Sequence, residues 1–586
     1  MFKTFYLILF LTSFFALSID YQPKNIDYNQ NLFPPMQIDL ILAGNFCEIR
    51  SNHFHTGLDI KTQGVEGQKL YAIEDGYISR LRVSPWGYGN AIYIQHNNGL
   101  TSVYAHCKNF APFIDSLVYQ IQKNYESYVV DKNVLDLKIP VKKGEIIGYS
   151  GNSGSSSAPH LHFEIRETKT EHAINPLLFK CYQKLIKDTT KPIIRGIKFY
   201  TITKQGYLIP GKEKYFYVKM IKGRLIVNNG KPINLDDLLV ENTYLGIGLH
   251  ALDKLDGAHN WCGIYNSKLY KDGVLLHEQL TEYMDFSFNR FMNTHKDYYA
   301  FKQQNKHIHK QFTNHINPLP IYPLNGGKIK WTDRNGQYTL SVFDVHQNNI
   351  RITFKVDSKT DEFAKNPFLN TKKYIYPDTV NYILKDNFQV LFEPVSFYEP
   401  LEIRYKETIP DSNLNCIGKI YSFTDYGIPV QKKYDVRIKL PENYNDLPKS
   451  KLAIIYFDNK NKVKYVGGHY IDDWVEGRAR AFGQFSLMID TLPPIIKTLD
   501  FYNNKTITKY KTLELIIQDN LSGVKTYKAY INDNWVLMTY NRKKRKYIIP
   551  LDSRSKLHLI KGENIVKIVA IDAKKNITKK EITVIY

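Results

Sequence analysis

The chain has 586 residues, and its 79 Lys and Arg against 57 Asp and Glu give a formal net charge of +22. A basic balance of this size is typical of proteins that meet nucleic acid, an anionic membrane surface or an anionic polymer. The five cysteines are odd in number and widely spaced, and none forms a C-x-x-C pair, which argues against a disulfide framework and against a thiolate zinc site.

The N-terminus has the pattern of a secretory signal peptide. One Lys precedes sixteen uncharged residues from Thr4 to Ile19, and A-L-S at 16–18 is a cleavage-type triplet. No later run approaches the roughly 18 apolar residues of a membrane span, so no transmembrane segment is expected. We therefore predict a signal peptide at 1–18 and a protein exported to the periplasm or cell envelope, or secreted.

The next unit, expected at 19–186, consists of short strand-like runs that alternate with Gly-containing turns such as E-D-G and N-N-G. One stretch differs, because residues 111–128 have helical spacing, with Phe113, Leu117 and Ile121 on one side. We interpret this stretch as a short helical insertion between two strands.

Within this unit, the sequence P-H-L-H-F-E at 159–164 contains two closely spaced histidines. In an extended strand, side chains alternate between the two faces. His160, His162 and Glu164 would then share one face, while Leu161 and the apolar residues that alternate with it face the core. H-x-H alone is equally compatible with the solvated face of an edge strand.

Two upstream motifs supply further candidates. His55 and Asp59 stand in H-x-G-x-D, and His106 closes Y-A-H. A catalytic zinc typically takes three protein ligands and leaves a position for water. It polarises a carbonyl and lowers the pKa of its water. Histidines beside it can accept a proton or hold a developing oxyanion.

H-x-G-x-D, Y-A-H and P-H-L-H-F-E, in this order, resemble the lysostaphin-type zinc endopeptidases, metallopeptidase family 23, over about residues 40–180. The resemblance implies Zn²⁺ as the cofactor and the peptide stems of peptidoglycan as the substrate. It implies that His55, Asp59 and His162 bind the metal. It also implies that His106 and His160 form the catalytic pair.

Some neighbouring residues have two interpretations. His53 forms another H-x-H with His55 and is a less favoured ligand. Glu164 either orients a histidine or is a solvated strand residue. Tyr104 either contacts the substrate or is buried, and Cys107 is expected to point to the opposite face from His106 and to pack in the core.

Beyond residue 186 the chain repeats itself. "DTTKPIIRGIKFY" at 188–200 recurs as "DTLPPIIKTLDFY" at 490–502, and D-x-L-x-G follows at 253–257 and at 519–523. Short alternating strands with frequent turn signals are typical of β-sandwiches. We interpret the two segments as copies of one module that resembles immunoglobulin-like domains, the first with a polar insertion at roughly 275–325.

The expected fold class is therefore mainly β. An antiparallel β-sheet peptidase domain of the lysostaphin type, with a short helical insertion, precedes about three β-sandwich units. The expected boundaries are a signal peptide at 1–18, the peptidase domain at 19–186, an immunoglobulin-like sandwich with an insertion at 187–360, a β-sandwich at 361–489 and an immunoglobulin-like sandwich at 490–586.

The positive charge is spread along the chain. Its tightest cluster, R-K-K-R-K at 542–546, falls in a predicted hairpin and is interpreted as a solvated turn. We therefore expect no nucleic-acid partner, while the β-modules offer surfaces for envelope proteins.

The predicted function is an exported zinc metalloendopeptidase that hydrolyses peptide cross-links of peptidoglycan. Two alternatives remain open. One is a non-catalytic regulator of cell-wall hydrolases, although relatives of that kind lack part of the His and Asp set that this chain keeps. The other is a wall-binding adhesin in which the β-modules carry the main function.

Overall fold

The computed structural model describes residues 26–369 and 373–586, so the expected signal peptide lies outside the described residues. The fold is mainly β, as the sequence predicts. Strand pairing is antiparallel almost throughout, and Lys505–Thr506 pairs in parallel with Ile577–Ile585. None of the helices in the described ranges has the length and apolar character needed to cross a lipid bilayer.

The N-terminal unit is built on a large antiparallel sheet. Its main strands, in spatial order, are Leu42–Gly44, Leu58–Lys61, His160–Glu167, Leu100–Cys107, Asn90–His96, Gly76–Val83 and Val130–Asn133. Short strands at its margins are Pro140–Val141, Ala173–Ile174 and Tyr283–Met284. A smaller sheet holds Lys69–Tyr71, Ile146–Tyr149 and Asn109–Phe110.

The predicted helical insertion is a helix at Pro112–Tyr125. It begins with a proline, whose missing N–H costs nothing in the first turn. The buried face carries Ile114 and Val118, whereas Phe113 is exposed. The helix was therefore predicted correctly. Of the predicted apolar face, Leu117 and Ile121 are partly buried against the same core, while Phe113 is not. The remaining α-helices of the described residues are Lys180–Leu185, Met292–His295, Tyr298–Gln304 and Ser553–Lys556.

The next unit encloses one core between two sheets. The first sheet holds Arg224–Val227, Leu208–Ile221, Ile193–Thr203, Thr243–Leu252, Ile308–Lys310 and Ile329–Lys330. The second holds Leu324–Asn325, Val274–Leu280, Asn266–Lys271, Gly336–Phe343 and Asn349–Val356.

Two further pairs of sheets follow, each around its own core. One sheet of the third unit holds Asn381–Leu384, Phe388–Phe392, Tyr434–Lys439, Trp474–Ala479 and His469–Ile471. The other holds Lys406–Thr408, Ile417–Ser422, Gln484–Ile489, Leu452–Phe457 and Val463–Gly467. Tyr374–Ile375 and Leu401–Glu402 form a separate two-stranded pair. The last unit has Ile495–Thr498, Thr512–Gln518, Lys546–Pro550 and Thr539–Asn541 facing Lys505–Thr506, Ile577–Ile585, Glu563–Asp572, Val524–Ile531 and Asn534–Val536.

The insertion at roughly 275–325 is not the polar surface segment that its sequence suggests. Its strand Tyr283–Met284 extends the N-terminal sheet through Ala173–Ile174. Met292 and Phe291 share a hydrophobic cluster with Phe54 of the N-terminal unit. The insertion therefore supports the loop that carries His55, because burying such side chains stabilises the contact by about 1.5–3 kcal/mol each.

The last unit also contacts the N-terminal unit. Lys528 Nζ lies 2.6 Å from Glu126 Oε2 at the end of the helix Pro112–Tyr125, and the Tyr530 hydroxyl donates to the same oxygen at 3.0 Å. The Arg554 guanidinium stands 4.5 Å from the ring centroid of Tyr119 on that helix.

Candidate metal centre

Two neighbouring strands bring predicted ligands together. In the antiparallel register, His162 lies directly opposite Asp59. Leu161 and Phe163 point into the core and are at most 1% exposed, so His162 projects from the other face, as the alternation predicts. Directly opposed side chains on one face of a sheet lie close enough to bind one metal ion together.

His55 approaches from the loop before the strand Leu58–Lys61. Gly57 lets this loop lie flat on the neighbouring strand, because a Cβ at that position would stand 2.4 Å from the Phe163 carbonyl oxygen. The amide side chain of Asn289, in the insertion, bonds both the N–H and the carbonyl of Phe54. These contacts fix the backbone on both sides of His55.

His106 reaches the same face through a β-bulge. Tyr104 and Cys107 both pack in the core, and the pairing with Asn90–His96 shifts register between them. His106 itself has φ +61, a conformation that is uncommon outside glycine. Strict alternation from Tyr104 would turn His106 into the core, and the bulge turns it towards the site instead.

Three ligand atoms converge at the centre of the site. His55 Nε2, His162 Nδ1 and Asp59 Oδ1 lie 2.9 Å from one another. The three residues form one of three groups in the described part of the chain with the spacing of a metal site. All are buried, with between 4% and 9% of their surface exposed.

The outer nitrogens of the two rings are held by acceptors. The Asn45 carbonyl oxygen lies 2.8 Å from His55 Nδ1, and Glu164 Oε1 lies 2.8 Å from His162 Nε2. Each acceptor receives a hydrogen bond from the outer N–H of its ring, so that the inner nitrogen of a neutral ring carries the lone pair. Two such lone pairs and a carboxylate oxygen at 2.9 Å repel one another unless a cation lies among them, so the donor set fits a metal ion such as zinc.

The pKa values of His162 and Asp59 show that the centre attracts positive charge. Burial lowers the pKa of His162, but Asp59 and Glu164 outweigh it and raise the pKa to about 9. Burial raises the pKa of Asp59, but the surrounding histidines leave it well below its usual range. Burial lowers the pKa of His55. In the absence of another cation the two carboxylates therefore favour a proton on His162, and a bound metal ion would take the place of that proton.

His106 and His160 lie beside this centre, with ring centroids 4.8 Å apart. His106 Nδ1 is 2.9 Å from the Ser153 carbonyl oxygen, and His160 Nδ1 is 2.9 Å from the Ala158 carbonyl oxygen. Each carbonyl accepts a hydrogen bond from Nδ1–H, which leaves the lone pair of the neutral ring on Nε2. Burial and the neighbouring histidines lower the pKa of His106 to about 3.

Glu164 is fully buried and belongs to a network that the sequence reveals only in part. Besides His162, it accepts from Thr56 Oγ1 at 2.7 Å and from the Tyr88 hydroxyl. Its other oxygen, Oε2, accepts hydrogen bonds from Arg166 Nε at 2.8 Å and from Arg166 Nη2 at 2.6 Å. Of the two interpretations of Glu164, the orienting partner is the one that the contacts support.

The structure adds one contact that the sequence motifs do not predict, and it decides between the interpretations of three neighbouring residues. Arg50 Nη2 donates to Asp59 Oδ2 at 2.9 Å, a partner that no motif indicates. His53 is exposed and bonds Asn52 instead of joining the centre. Tyr104 is fully buried, its hydroxyl accepts from the Ile73 N–H, and Cys107 packs in the core as expected.

The basic cluster at 542–546 forms the exposed turn of a hairpin, but it does not face only solvent. Lys543 Nζ donates to the Asn152 carbonyl oxygen at 2.7 Å. Arg542 donates to Ser155 Oγ at 3.2 Å and stands 4.6 Å from the Trp86 ring centroid. The last unit therefore touches the loop whose Ser153 carbonyl holds His106.

Comparison with known families gives two matches. Residues 53–120 and 115–176 match the model described as peptidase family M23, and residues 372–490 match the Zu5-like domain. The second match covers most of the third unit, for which the sequence suggested only a β-sandwich.

Among curated proteins, the DD-carboxypeptidase/endopeptidase Mpg of Neisseria meningitidis serogroup B is 35% identical over 112 residues, which are 19% of this chain and 20% of that protein. The murein hydrolase activator NlpD of Escherichia coli is 32% identical over 123 residues, or 21% of this chain and 25% of that protein. The matched segment thus spans only about a fifth to a quarter of these relatives.

Among solved structures, the catalytic domain of lysostaphin from Staphylococcus simulans is 25% identical, covers 24% of this chain and 91% of that domain, and has a TM-score of 0.18. The family match falls on the segment that carries the H-x-G-x-D, Y-A-H and P-H-L-H-F-E motifs. Residues 53–176 of this mainly β chain are therefore a lysostaphin-type domain of peptidase family M23.

Proposed function

We propose that the chain is an exported zinc metalloendopeptidase that hydrolyses peptide cross-links of peptidoglycan. One observation carries the proposal. His55 Nε2, His162 Nδ1 and Asp59 Oδ1 converge at 2.9 Å, with two further histidines beside them. Two imidazoles and one carboxylate are a donor set that leaves a bound zinc Lewis acidic.

In this proposal His55, Asp59 and His162 would hold zinc, which would supply Lewis acidity towards the scissile carbonyl and lower the pKa of a bound water. His106 and His160 carry out the proton chemistry. With Nδ1 fixed as a donor to a backbone carbonyl, each ring presents Nε2 to the reacting groups. One ring takes the proton of the attacking water and the other stabilises the developing oxyanion or protonates the leaving amine.

The buried surroundings support this assignment. Tyr88 stacks on His162 with ring centroids 5.2 Å apart, and Arg166 neutralises Glu164, so the carboxylate remains a hydrogen-bond acceptor for His162 Nε2. Such outer contacts orient ligands and tune a metal. The histidines then reach the substrate with little reorganisation.

The substrate class comes from the relatives. The names of the matched proteins describe a carboxypeptidase/endopeptidase and an activator of murein hydrolases. The decisive experiment is mass spectrometry of muropeptides after purified sacculi are incubated with the zinc-loaded chain. The proposal expects new products of peptide cleavage that disappear with His106→Ala, and identical profiles for the two chains would reject it.

A second candidate is a non-catalytic activator of wall hydrolases, which the similarity to NlpD favours. It predicts no products from the chain alone and more products when a separate wall amidase is added. The complete His and Asp set makes it the weaker candidate. Binding of the chain to sacculi without either effect would instead support a wall-binding adhesin.

A further inference from the structure

Two acidic clusters lie outside the peptidase site, one in each copy of the repeated module. The first joins Asp188, Asp253 and Asp344, and the second joins Asp490, Asp519 and Asp572. In each cluster, one oxygen from every carboxylate lies within 4.8 Å of the others. Five of the six residues are buried, and Asp519 is partly exposed.

The two clusters occupy equivalent positions in the repeat. Asp188 and Asp490 open the repeated D-T-x-x-P-I-I segment, and Asp253 and Asp519 open the repeated D-x-L-x-G. Asp344 and Asp572 each precede a tight turn that ends in an asparagine four residues later. The repeat therefore carries all three carboxylates at matching positions in both copies.

The hydrogen bonds around the clusters also match. Asn348 Nδ2 donates to Asp344 Oδ2 at 2.8 Å and to the Asp188 carbonyl oxygen at 3.0 Å. In the second copy, Asn576 Nδ2 donates to Asp572 Oδ2 at 2.7 Å and to the Asp490 carbonyl oxygen at 3.0 Å. The same asparagine thus fixes two members of each cluster relative to each other.

Each cluster leaves carboxylate oxygens without a partner. Asp253 is 2% exposed, and its Oδ1 is buried without a hydrogen bond. Asp490 is fully buried, and its Oδ1 also has no hydrogen bond. Asp188 Oδ2 and Asp519 Oδ1 are likewise unpaired. A buried, unpaired carboxylate oxygen is costly unless a cation or a hydrogen-bond donor meets it.

No basic side chain of the described residues forms an ion pair with any of the six aspartates. The nearby Lys574 directs Nζ to the Gly468 carbonyl oxygen at 2.7 Å. Burial raises the pKa of Asp253 to about 8 and that of Asp188 to about 7, and the neighbouring aspartates add to both shifts. Three such carboxylates can be ionised together only beside a compensating positive charge.

We propose that each cluster is a calcium site. The donors are all carboxylate oxygens, which hard cations prefer, and three aspartates can supply several of the six to eight oxygens that Ca²⁺ takes. Mg²⁺ fits less well because it demands near-octahedral geometry and keeps several of its waters.

The position of each site gives it a structural role. Asp188 lies in the segment between the helix Lys180–Leu185 of the N-terminal unit and the strand Ile193–Thr203 of the following sandwich. Asp490 directly follows Gln484–Ile489, the last strand of the third unit. In both copies the ion therefore ties the chain entering a module to two loops within it, which stabilises the junction between units.

The test is equilibrium dialysis of the full chain with ⁴⁵Ca²⁺. The chain is first freed of calcium on a chelating resin, and equimolar ZnCl₂ is kept present so that the peptidase centre stays in one state. We expect two calcium ions per chain. Asp253→Asn and Asp519→Asn should each remove one ion, and the double variant should remove both.

Matched controls are Asp333→Asn and Asp533→Asn, which change exposed aspartates of the same two modules and should leave both ions bound. If a variant fails to fold, Asp344→Asn or Asp572→Asn replaces it. Scanning calorimetry of the parent chain gives a second readout, because a ligand of the native state raises the unfolding temperature.

Fewer than two ions on the parent chain, two ions retained in either single variant, or no rise in unfolding temperature with calcium would overturn the proposal. Saturation of both sites by Mg²⁺ with no binding of Ca²⁺ would overturn the choice of calcium.

Discussion

Glu164 Oε1 accepts a hydrogen bond from His162 Nε2 at 2.8 Å, and the two residues lie two apart on one strand. The strand therefore supplies both a ligand and the group that orients it. Because the carboxylate holds the Nε2 proton, the lone pair of Nδ1 faces Asp59.

Glu164→Gln should weaken zinc binding by roughly 10- to 100-fold, the usual scale for losing an outer-shell partner. It should also destabilise the fold, because Arg166 loses its buried counter-ion. Competition with a chromogenic chelator measures the affinity. Glu171→Gln is the matched control, because Glu171 pairs with the same Arg166, through Nη1 at 3.1 Å, but is exposed. Equal affinities in the two variants would contradict the orienting role.

Asp59→Ala should abolish zinc retention and activity. Two imidazoles without the carboxylate hold the ion poorly, and Arg50 would then keep only the longer ion pair to Glu48 Oε2 at 3.5 Å. Elemental analysis of the purified variant provides the measurement. Full zinc occupancy in this variant would remove Asp59 from the ligand set.

His106→Ala and His160→Ala should retain zinc but lower turnover by roughly 10²-fold or more, the scale of lost proton transfer or oxyanion stabilisation. Zinc content and turnover are measured on the same preparations. Loss of zinc in His160→Ala with retention in His162→Ala would show that the two histidines of H-L-H have exchanged roles.

The loop that holds His106 depends on the last unit, because Lys543 Nζ bonds the Asn152 carbonyl oxygen one residue before Ser153. We expect Lys543→Ala to lower kcat by about two- to tenfold with little change in KM, since positioning is lost and not binding. Lys544→Ala, at the exposed turn of the same hairpin, is the control. Equal kcat values for the two variants would leave the hairpin without a role in catalysis.

Buried histidines of the insertion should make the fold sensitive to acid. Burial lowers the pKa of His277 to about 3, and burial and neighbouring histidines lower that of His309 to about 3. The unfolded chain takes up protons below about pH 6.5 while these rings stay neutral. The free energy of unfolding is therefore unaffected by these rings above pH 6.5. Below pH 6.5 each histidine lowers it by about 1.4 kcal/mol for every pH unit, until the pH reaches the pKa of the folded state.

His277→Leu tests this linkage, because both ring nitrogens of His277 are buried without a hydrogen bond. When the pH falls from 7 to 5, the unfolding temperature of the variant should fall less than that of the parent. The difference should correspond to about 2 kcal/mol of unfolding free energy. Calorimetry at both pH values measures the difference, with exposed His469→Leu as the control. The same loss in parent and variant would mean that His277 is not buried in its neutral form.

Much of the centre could be read from local patterns. Alternation along 159–165 separates Leu161, Phe163 and Ile165, which belong to the hydrophobic core of the N-terminal unit, from His160, His162 and Glu164, which lie on the other face. Helical spacing likewise indicates the helix after His106. Such signals are local, because the period of a strand or helix is imposed by its own backbone.

The sequence by itself indicated the histidines and the aspartate that converge in the candidate metal centre, the mainly β class and the repeat whose copies each carry three aspartates. Only the tertiary structure decided how they meet. The bulge at His106, the Asn45 carbonyl that holds His55, and Arg50 on Asp59 depend on pairing between distant segments, and no local period encodes them. The insertion likewise proved to be core, because its apolar residues find partners such as Phe46 and Phe54 across units, and burial depends on what packs against a segment more than on the segment's own composition.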